Sequence, residues 1–314
     1  MNGLELSRGF YEEYGAPMLH EQFPQYEEVL AIGLAGSGSE CFGYDDEVSR
    51  DHDFEPGFCI FLPDEEVVDR RTEFLLERAY AKLPQTYRGV ARLKISPVGG
   101  NRHGVLRMDE FFSARLGRKD TFTSDMEWFG ISEQYLAEVT NGEVFRDDVG
   151  LFSSIREKLR YLPHDVRCKK LAGNLLLMAQ SGQYNYERCL AHGETAAAQM
   201  AISEYVRHTL AAVFLLNRKY LPYYKWQFRA LKTLPYLSEL SPLMEELLTT
   251  GNDPDAAKRK SILIENIAGA VITQLQEQNL TEAICGDLEK HAYSVNDRIV
   301  DGDLRNRHIL FGVD

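Results

Sequence analysis

Two aspartates one residue apart, Asp51 and Asp53 in "RDHDF", carry the most pointed chemistry in this chain. On an extended strand, residues i and i+2 face the same way, so these carboxylates would lie side by side. Like charges that close raise each other's pKa unless something neutralises them. A divalent cation does so directly. Mg²⁺ takes oxygen ligands, commonly one or two carboxylates together with the phosphate oxygens of a substrate. His52, between the two acids, is directed to the opposite face and reads as a structural or surface histidine. A calcium loop is a competing use of "DHDFEPG". An EF-hand requires glycine at its sixth position and glutamate at its twelfth, where this chain has Pro56 and Leu62, so that reading is rejected.

A turn of small residues, "GLAGSGSECFG", precedes the acid pair. Gly36, Gly38 and Gly43 lack a Cβ, so the backbone can turn tightly and a ligand can approach its N–H groups. Ser37 and Ser39 add hydroxyls. If "SECFG" opens a helix, its first turn adds partial positive charge. Gly38 and Ser39 are therefore candidate phosphate holders, and Asp51 and Asp53 candidate metal ligands. A phosphate-holding turn ahead of a phosphate-bridging cation is one coherent device. Asp45, Asp46 and Glu47 lie between the two and read as loop surface. The plain alternative for the whole stretch is an acidic surface loop beside a flexible turn. The combined spacing favours nucleotide binding over it.

The elements that must position these residues follow from periodicity. "LSRGFYEEYGAPMLHEQF" predicts an opening helix with Phe10, Tyr14 and Leu19 in the core. "EVLAIGLAG" predicts a strand feeding the glycine turn, and "GFCIFLP" a second strand stopped by Pro63. "DEEVVDRRTEFLLERAYAKL" has acids at its start and Lys82 near its end, as a helix dipole favours. "GVARLKIS" and "HGVLRM" are further strand candidates, and "DMEWFGISEQYLAEVTNG" reads as a helix stopped at Asn141-Gly142. After about Asp148 every periodic segment is helical. The expected architecture is α+β: a mixed-sheet domain over residues 1–148, then an all-helical bundle over 149–314.

Composition bounds the partners. The charge is 35 − 48 = −13 over 314 residues, which argues against an extended nucleic-acid surface but leaves room for a local basic pocket. No run of about 18 apolar residues predicts a membrane span. "MNGLELSRGFYEEYG" lacks the basic start and apolar stretch of a secretory signal. Five widely spaced cysteines without a C-x-x-C pair read as free thiols, so a reducing cytoplasm is expected. Oligomeric state has no signature in the sequence.

Two helical-half segments could contribute chemistry. In "SEYVRHTLAAVFLL", Glu204, Arg207 and His208 share one helix face opposite Val206, Leu210, Val213 and Phe214. The ordinary reading is an amphipathic bundle helix. "NRKYLPYYKW" places Arg218, Lys219 and Lys225 among aromatics. Such residues suit a triphosphate and a stacked base, or equally a helix-end cap and a packed loop.

The block Gly38-Ser39, Gly43 and Asp51-His52-Asp53, with 11 residues between Ser39 and Asp51, resembles the signature of the polymerase-β-type nucleotidyltransferase superfamily. It looks closest to the minimal and antibiotic-modifying branch, which often carries a C-terminal helical bundle, and to an uncharacterised bacterial family within it. The motif covers about 30 residues. The resemblance implies a Mg²⁺-dependent transfer of a nucleoside monophosphate from a nucleoside triphosphate, with ATP the expected one, to a hydroxyl of an acceptor. It implies phosphates on Gly38 and Ser39, metal on Asp51 and Asp53, and an acceptor between the domains. By domain position it also implies Glu204 as the general base. The chain departs from the pattern at "EPG" (Glu55–Gly57), at Asp45 to Glu47, and in the third carboxylate, for which Asp109 or Glu110 is nearest. The alternative is a non-catalytic nucleotide-binding or regulatory protein on the same fold.

Overall fold

The computed structural model describes residues 1–46, 54–92 and 102–313. It divides into two compact units. The first comprises Met1–Phe122 and Gln134–Arg160, and the second Thr123–Glu133 and Tyr161–Asp314. The expected boundary at 148/149 falls inside the second segment of the first unit.

In the first unit, helix α1 (Gly3–Phe10) opens with a capping box between Asn2 and Glu5. It continues through a π-helical turn (Tyr11–Gly15) into α2 (Ala16–Gln22). Strand β1 (Ala31–Leu34) follows, then β2 (Cys59–Leu62). Helix α3 (Arg70–Ala81) starts later than its sequence suggests, because Asp69 accepts the Thr72 N–H at 2.7 Å and acts as N-cap. A small hairpin, β3 (Thr86–Tyr87) with β4 (Val90–Ala91), includes the described part of "GVARLKIS". Strand β5 (Gly104–Arg107) runs directly into α4 (Met108–Leu116).

The segment expected as a single helix over 125–142 is two: α5 (Asp125–Trp128) and α6 (Glu133–Thr140). Gly130 sits at the break. Asn141-Gly142 does stop α6, and an unforeseen strand β6 (Glu143–Arg146) follows, then α7 (Leu151–Lys158).

The sheet is mixed, in order β5-β2-β1-β6. β1 is antiparallel to β2 and β6, and β2 is parallel to β5. Alternation along β2 explains its apolar run. Phe58, Ile60 and Leu62 enter a core with Leu6, Phe10, Leu19 and Leu76. Phe61 faces the other way and stacks on Phe152 of α7 at 4.0 Å between ring centres, with Phe111 of α4 at 5.1 Å. A strand covered on both faces reads as continuous apolar sequence rather than as alternation.

The second unit is helical: α5, then α8 (His164–Met178), a π-helical turn (Ala179–Asn185), α9 (Tyr186–Ala191), α10 (Thr195–Leu216) and α11 (Gln227–Leu231). α12 (Ser241–Thr249), α13 (Pro254–Glu277), α14 (Leu288–Asn296) and α15 (Gly302–Asn306) complete it. α8 is central and packs against α10 and α14. The basic run "VRCKK" reads as surface by composition but is buried. Lys169 Nζ donates to the carbonyls of Arg305 and Arg307 and to Asn296 Oδ1, and Arg167 Nε donates to the Leu215 carbonyl at 2.9 Å. Buried cations are tolerated only when their donors are satisfied in this way. Among the described residues no helix is long and apolar enough to cross a membrane.

Candidate functional site

β1 delivers the chain to the glycine turn, and two devices hold that turn. Asn141, just past α6, pairs with Gly36 through both amide groups: its Oδ1 accepts the Gly36 N–H at 3.0 Å and its Nδ2 donates to the Gly36 carbonyl at 2.7 Å. Next to it, the Gly142 N–H donates to the Cys41 carbonyl at 2.8 Å. Arg156 of α7 in turn donates to the carbonyls of Val139 and Asn141. Gly36 has φ +134°, a conformation side chains rarely adopt. Glycine at 38 has a steric reason, since a Cβ there would overlap the carboxylate of Glu40 folded against it.

The turn forms one wall of a cavity of about 270 Å³, lined by Gly36, Ser37 and Gly38. Arg102, Arg107, Glu110, Phe111 and Arg115 contribute to the rest of its lining. Three guanidinium groups around a turn that exposes Ser37 between buried Gly36 and Gly38 make this a place for an anion with several oxygens. Arg107 is held from outside the cavity, donating to Glu73 Oε2 at 2.7 Å and to the Pro63 carbonyl at 2.8 Å. Arg115 lies with its guanidinium carbon 4.3 Å from the Phe111 ring centre. The two thiols nearby are not nucleophiles. Burial pushes Cys59 up to about 12 and raises Cys41 well above the ordinary thiol range, so both stay protonated at neutral pH.

Gly38 lines this cavity, whereas Ser39 does not and is only 7% exposed. The helix expected at "SECFG" is a single 3₁₀ turn, Glu40–Phe42, ended by left-handed Gly43. So short an element contributes little dipole, and the arginines supply the positive charge instead. Asp51, His52, Asp53 and Glu47 lie outside the described residues. Among the described residues no group of three or more His, Cys, Asp or Glu side chains could hold a metal ion. Phe54 to Phe58 run without strand pairing, and Glu55 meets His103 Nδ1 at 3.1 Å beside β5. Of the two nearest further carboxylates, Glu110 lines the cavity, while Asp109 accepts the Glu110 N–H at 2.8 Å.

Glu204 and Lys225 belong to the helical unit. Glu204 is half exposed, ion-paired to Arg207 at 2.7 Å, with His208 Nε2 at 3.3 Å. The Arg207 hydrogen bond, offset in part by burial, holds its carboxyl below the ordinary glutamate range. Lys225 is exposed, with Nζ 4.7 Å from the Trp226 ring centre. Arg218, in left-handed conformation, ends α10 in a Schellman-type cap: Lys219 N–H donates to the Phe214 carbonyl and Arg218 N–H to that of Leu215.

His208 is buried, with Nδ1 2.9 Å from Asn174 Oδ1. Burial, and then the Arg207 charge, lower its pKa from 6.5 to about 4. The folded state therefore holds it neutral. Between those two values the unfolded chain binds the extra proton, so stability falls as pH drops from 6.5 towards 4. We expect a loss on the order of 2 kcal/mol. Urea unfolding at pH 7 and pH 4.5 checks this, and a His208→Gln variant should lack that part of the slope.

Sequence pattern alone passes over Arg102, Arg107, Arg115, Glu138 and Asn141 as site residues. Arg115 has a signal: it lies four residues after Phe111 in a segment whose apolar residues Met108, Phe111, Phe112 and Leu116 recur at helical spacing. Asn141 has none beyond its role as a helix stop.

Among known families, one described as Domain of unknown function (DUF4037) matches residues 128–227. That stretch includes Glu138, Asn141, Arg156, Glu204 and Lys225. No curated protein matches the chain. Among solved structures, the chain is similar to a nucleotidyltransferase-like protein from Exiguobacterium sibiricum, at 12% identity and a TM-score of 0.35. The alignment covers 91% of this chain and 89% of that one, and a likeness at that score fixes neither fold nor function.

Proposed function

We propose that this chain binds a nucleoside triphosphate, ATP by expectation, at the glycine turn and transfers its nucleoside monophosphate to a hydroxyl of an acceptor. The observation that carries the reading is the cavity shared by the Gly36–Gly38 turn and three arginines, in a chain whose next motif is Asp51-His52-Asp53. In the transfer, the acceptor oxygen bonds to the α-phosphorus, the bond to the β-phosphate bridge breaks, and pyrophosphate leaves while the hydroxyl proton passes to a base. Gly38 and the turn backbone would hold the polyphosphate, with Arg102 and Arg115 balancing its charge. Such a site works by positioning and by preorganised charge. Mg²⁺ held by Asp51 and Asp53 would neutralise charge at the reacting phosphates.

A second reading keeps nucleotide binding without turnover, as in a regulatory protein. The state of Glu204 favours it: a carboxylate held low chiefly by the Arg207 hydrogen bond behaves as an ion-pair member rather than as a base poised near neutrality. Titration calorimetry with ATP, GTP, CTP and UTP in Mg²⁺ tests both readings. It is paired with α-labelled nucleotide and a cell extract supplying acceptors. Binding with pyrophosphate release and a labelled product supports transfer. Binding without either supports the regulatory reading, and absence of binding overturns both.

A further inference from the structure

Arg115 differs from Arg107, whose Nε, Nη1 and Nη2 all donate to Glu73 or the Pro63 carbonyl, in how its guanidinium is fixed. Nε donates to Glu138 Oε2 at 3.2 Å, and Nη1 donates to the Phe111 carbonyl at 3.1 Å. One face lies against the Phe111 ring. Among the described residues Nη2 meets no acceptor. That edge abuts the turn, where a Cβ built on Gly36 would lie 3.1 Å from Nη2. The partner is fixed as well: Glu138 is 7% exposed and its second oxygen accepts from Gln134 Nε2 at 3.3 Å. α6 and the residue after it thus supply both the carboxylate that aims Arg115 and, through Asn141, the clamp on the turn it faces.

We propose that Arg115 is the residue that recognises phosphate in this cavity, that Glu138 is its positioning residue, and that the anion is the polyphosphate of a nucleoside triphosphate. A guanidinium with Nε, Nη1 and one face already engaged presents Nη2 in a set direction, so little orientational entropy is lost on binding. The proposal rests on the preceding functional reading for the identity of the anion. It does not rest on turnover.

The test uses the full chain and inorganic triphosphate, which carries neither nucleoside nor acceptor. Calorimetry should show binding by the wild type and a loss of about tenfold or more in Arg115→Ala. Arg115→Lys should be intermediate, because lysine keeps the charge without the fork. Glu138→Ala separates positioning from charge. It removes a negative group, so electrostatics alone predicts tighter anion binding, whereas loss of the aim predicts binding about fivefold or more weaker. Glu138→Gln retains an acceptor for Nε and should stay within about threefold of wild type. Thermal melting without ligand reports folding, and if the alanine variants do not fold, Arg115→Lys and Glu138→Gln carry the test. Three results would overturn the proposal: no triphosphate binding by the wild type, unchanged binding in Arg115→Ala, or tighter binding in Glu138→Ala. Triphosphate binding that depends on Arg115 in a protein that releases no pyrophosphate would sink the transferase reading alone. Pyrophosphate release that Arg115→Ala leaves intact would sink the role of Arg115 alone.

Discussion

Asp51→Asn is expected to lower nucleotide transfer by about a thousandfold or more, the scale at which loss of a group stabilising transition-state charge is felt. The change swaps one carboxylate oxygen for an amide nitrogen at nearly constant volume. It removes a unit of negative charge from a pair whose proposed purpose is to hold a divalent cation, and a neutral amide binds such an ion weakly. A thousandfold corresponds to about 4 kcal/mol of barrier. The fold should tolerate the change, because relieving repulsion between adjacent carboxylates carries no penalty of its own. The contrast with binding is as informative as the rate. Asp51→Asn should retain metal-free triphosphate affinity, since that anion is assigned to the turn and to Arg115. Asp53→Asn should behave alike, and the double variant should cost little more than either, because the two act as one unit. Pyrophosphate release over time measures the rate, and wild-type turnover in Asp51→Asn would remove the acid pair from the chemistry.

The second large effect is on stability. Gly142→Ala places a methyl where there is no space: the residue has φ +66°, and a Cβ there would overlap the carbonyl oxygen of Leu34 in β1. Its N–H is also the donor to the Cys41 carbonyl, so backing away loosens the turn as well. Backbone strain of about 1–2 kcal/mol together with overpacking of about 1–3 kcal/mol predicts a loss of about 3 kcal/mol or more. Gly150→Ala is the control. Gly150 has φ +76°, and a Cβ there would meet nothing within 4 Å, so only the strain should be felt, about 1 kcal/mol. The two tryptophans, Trp128 and Trp226, both belong to the second unit. Tryptophan fluorescence therefore follows that unit, and far-ultraviolet circular dichroism follows both. Gly142→Ala should lower the transition seen by circular dichroism more than the one seen by fluorescence, and weaken triphosphate binding. Equal effects at positions 142 and 150 would mean that the overlap relaxes at no cost.

Much of the α+β layout is readable from local sequence, for reasons that differ by element. β1 and β2 are short apolar runs bounded by Gly36 and Pro63, and burial on both faces demands that composition. α1 and α3 announce themselves through apolar spacing and acidic first turns. β6 escapes notice because a four-residue strand of intermediate exposure, with Phe145 as its one side chain against the core, is too short to write an alternating pattern. The buried lysine of α8 misleads in the opposite direction. Lys169 looks like surface by type, and only the carbonyls of Arg305 and Arg307 explain its burial.

For the candidate site, the sequence by itself determined where the glycine turn lies and proposed the acid pair that follows it, which lies outside the described residues. Each is local: only a glycine readily takes the φ of +134° at Gly36, and Asp51 and Asp53 stand one residue apart in the chain. What only the tertiary structure decided is the source of positive charge. It comes from Arg102 and Arg107 around β5 and from Arg115 in α4, with Glu138 and Asn141 reaching in from more than 20 residues further along the chain. Hydrogen bonds and ion pairs act across space rather than along sequence. An arginine aimed by a distant glutamate has the same letter as one in solvent, and packing alone tells them apart.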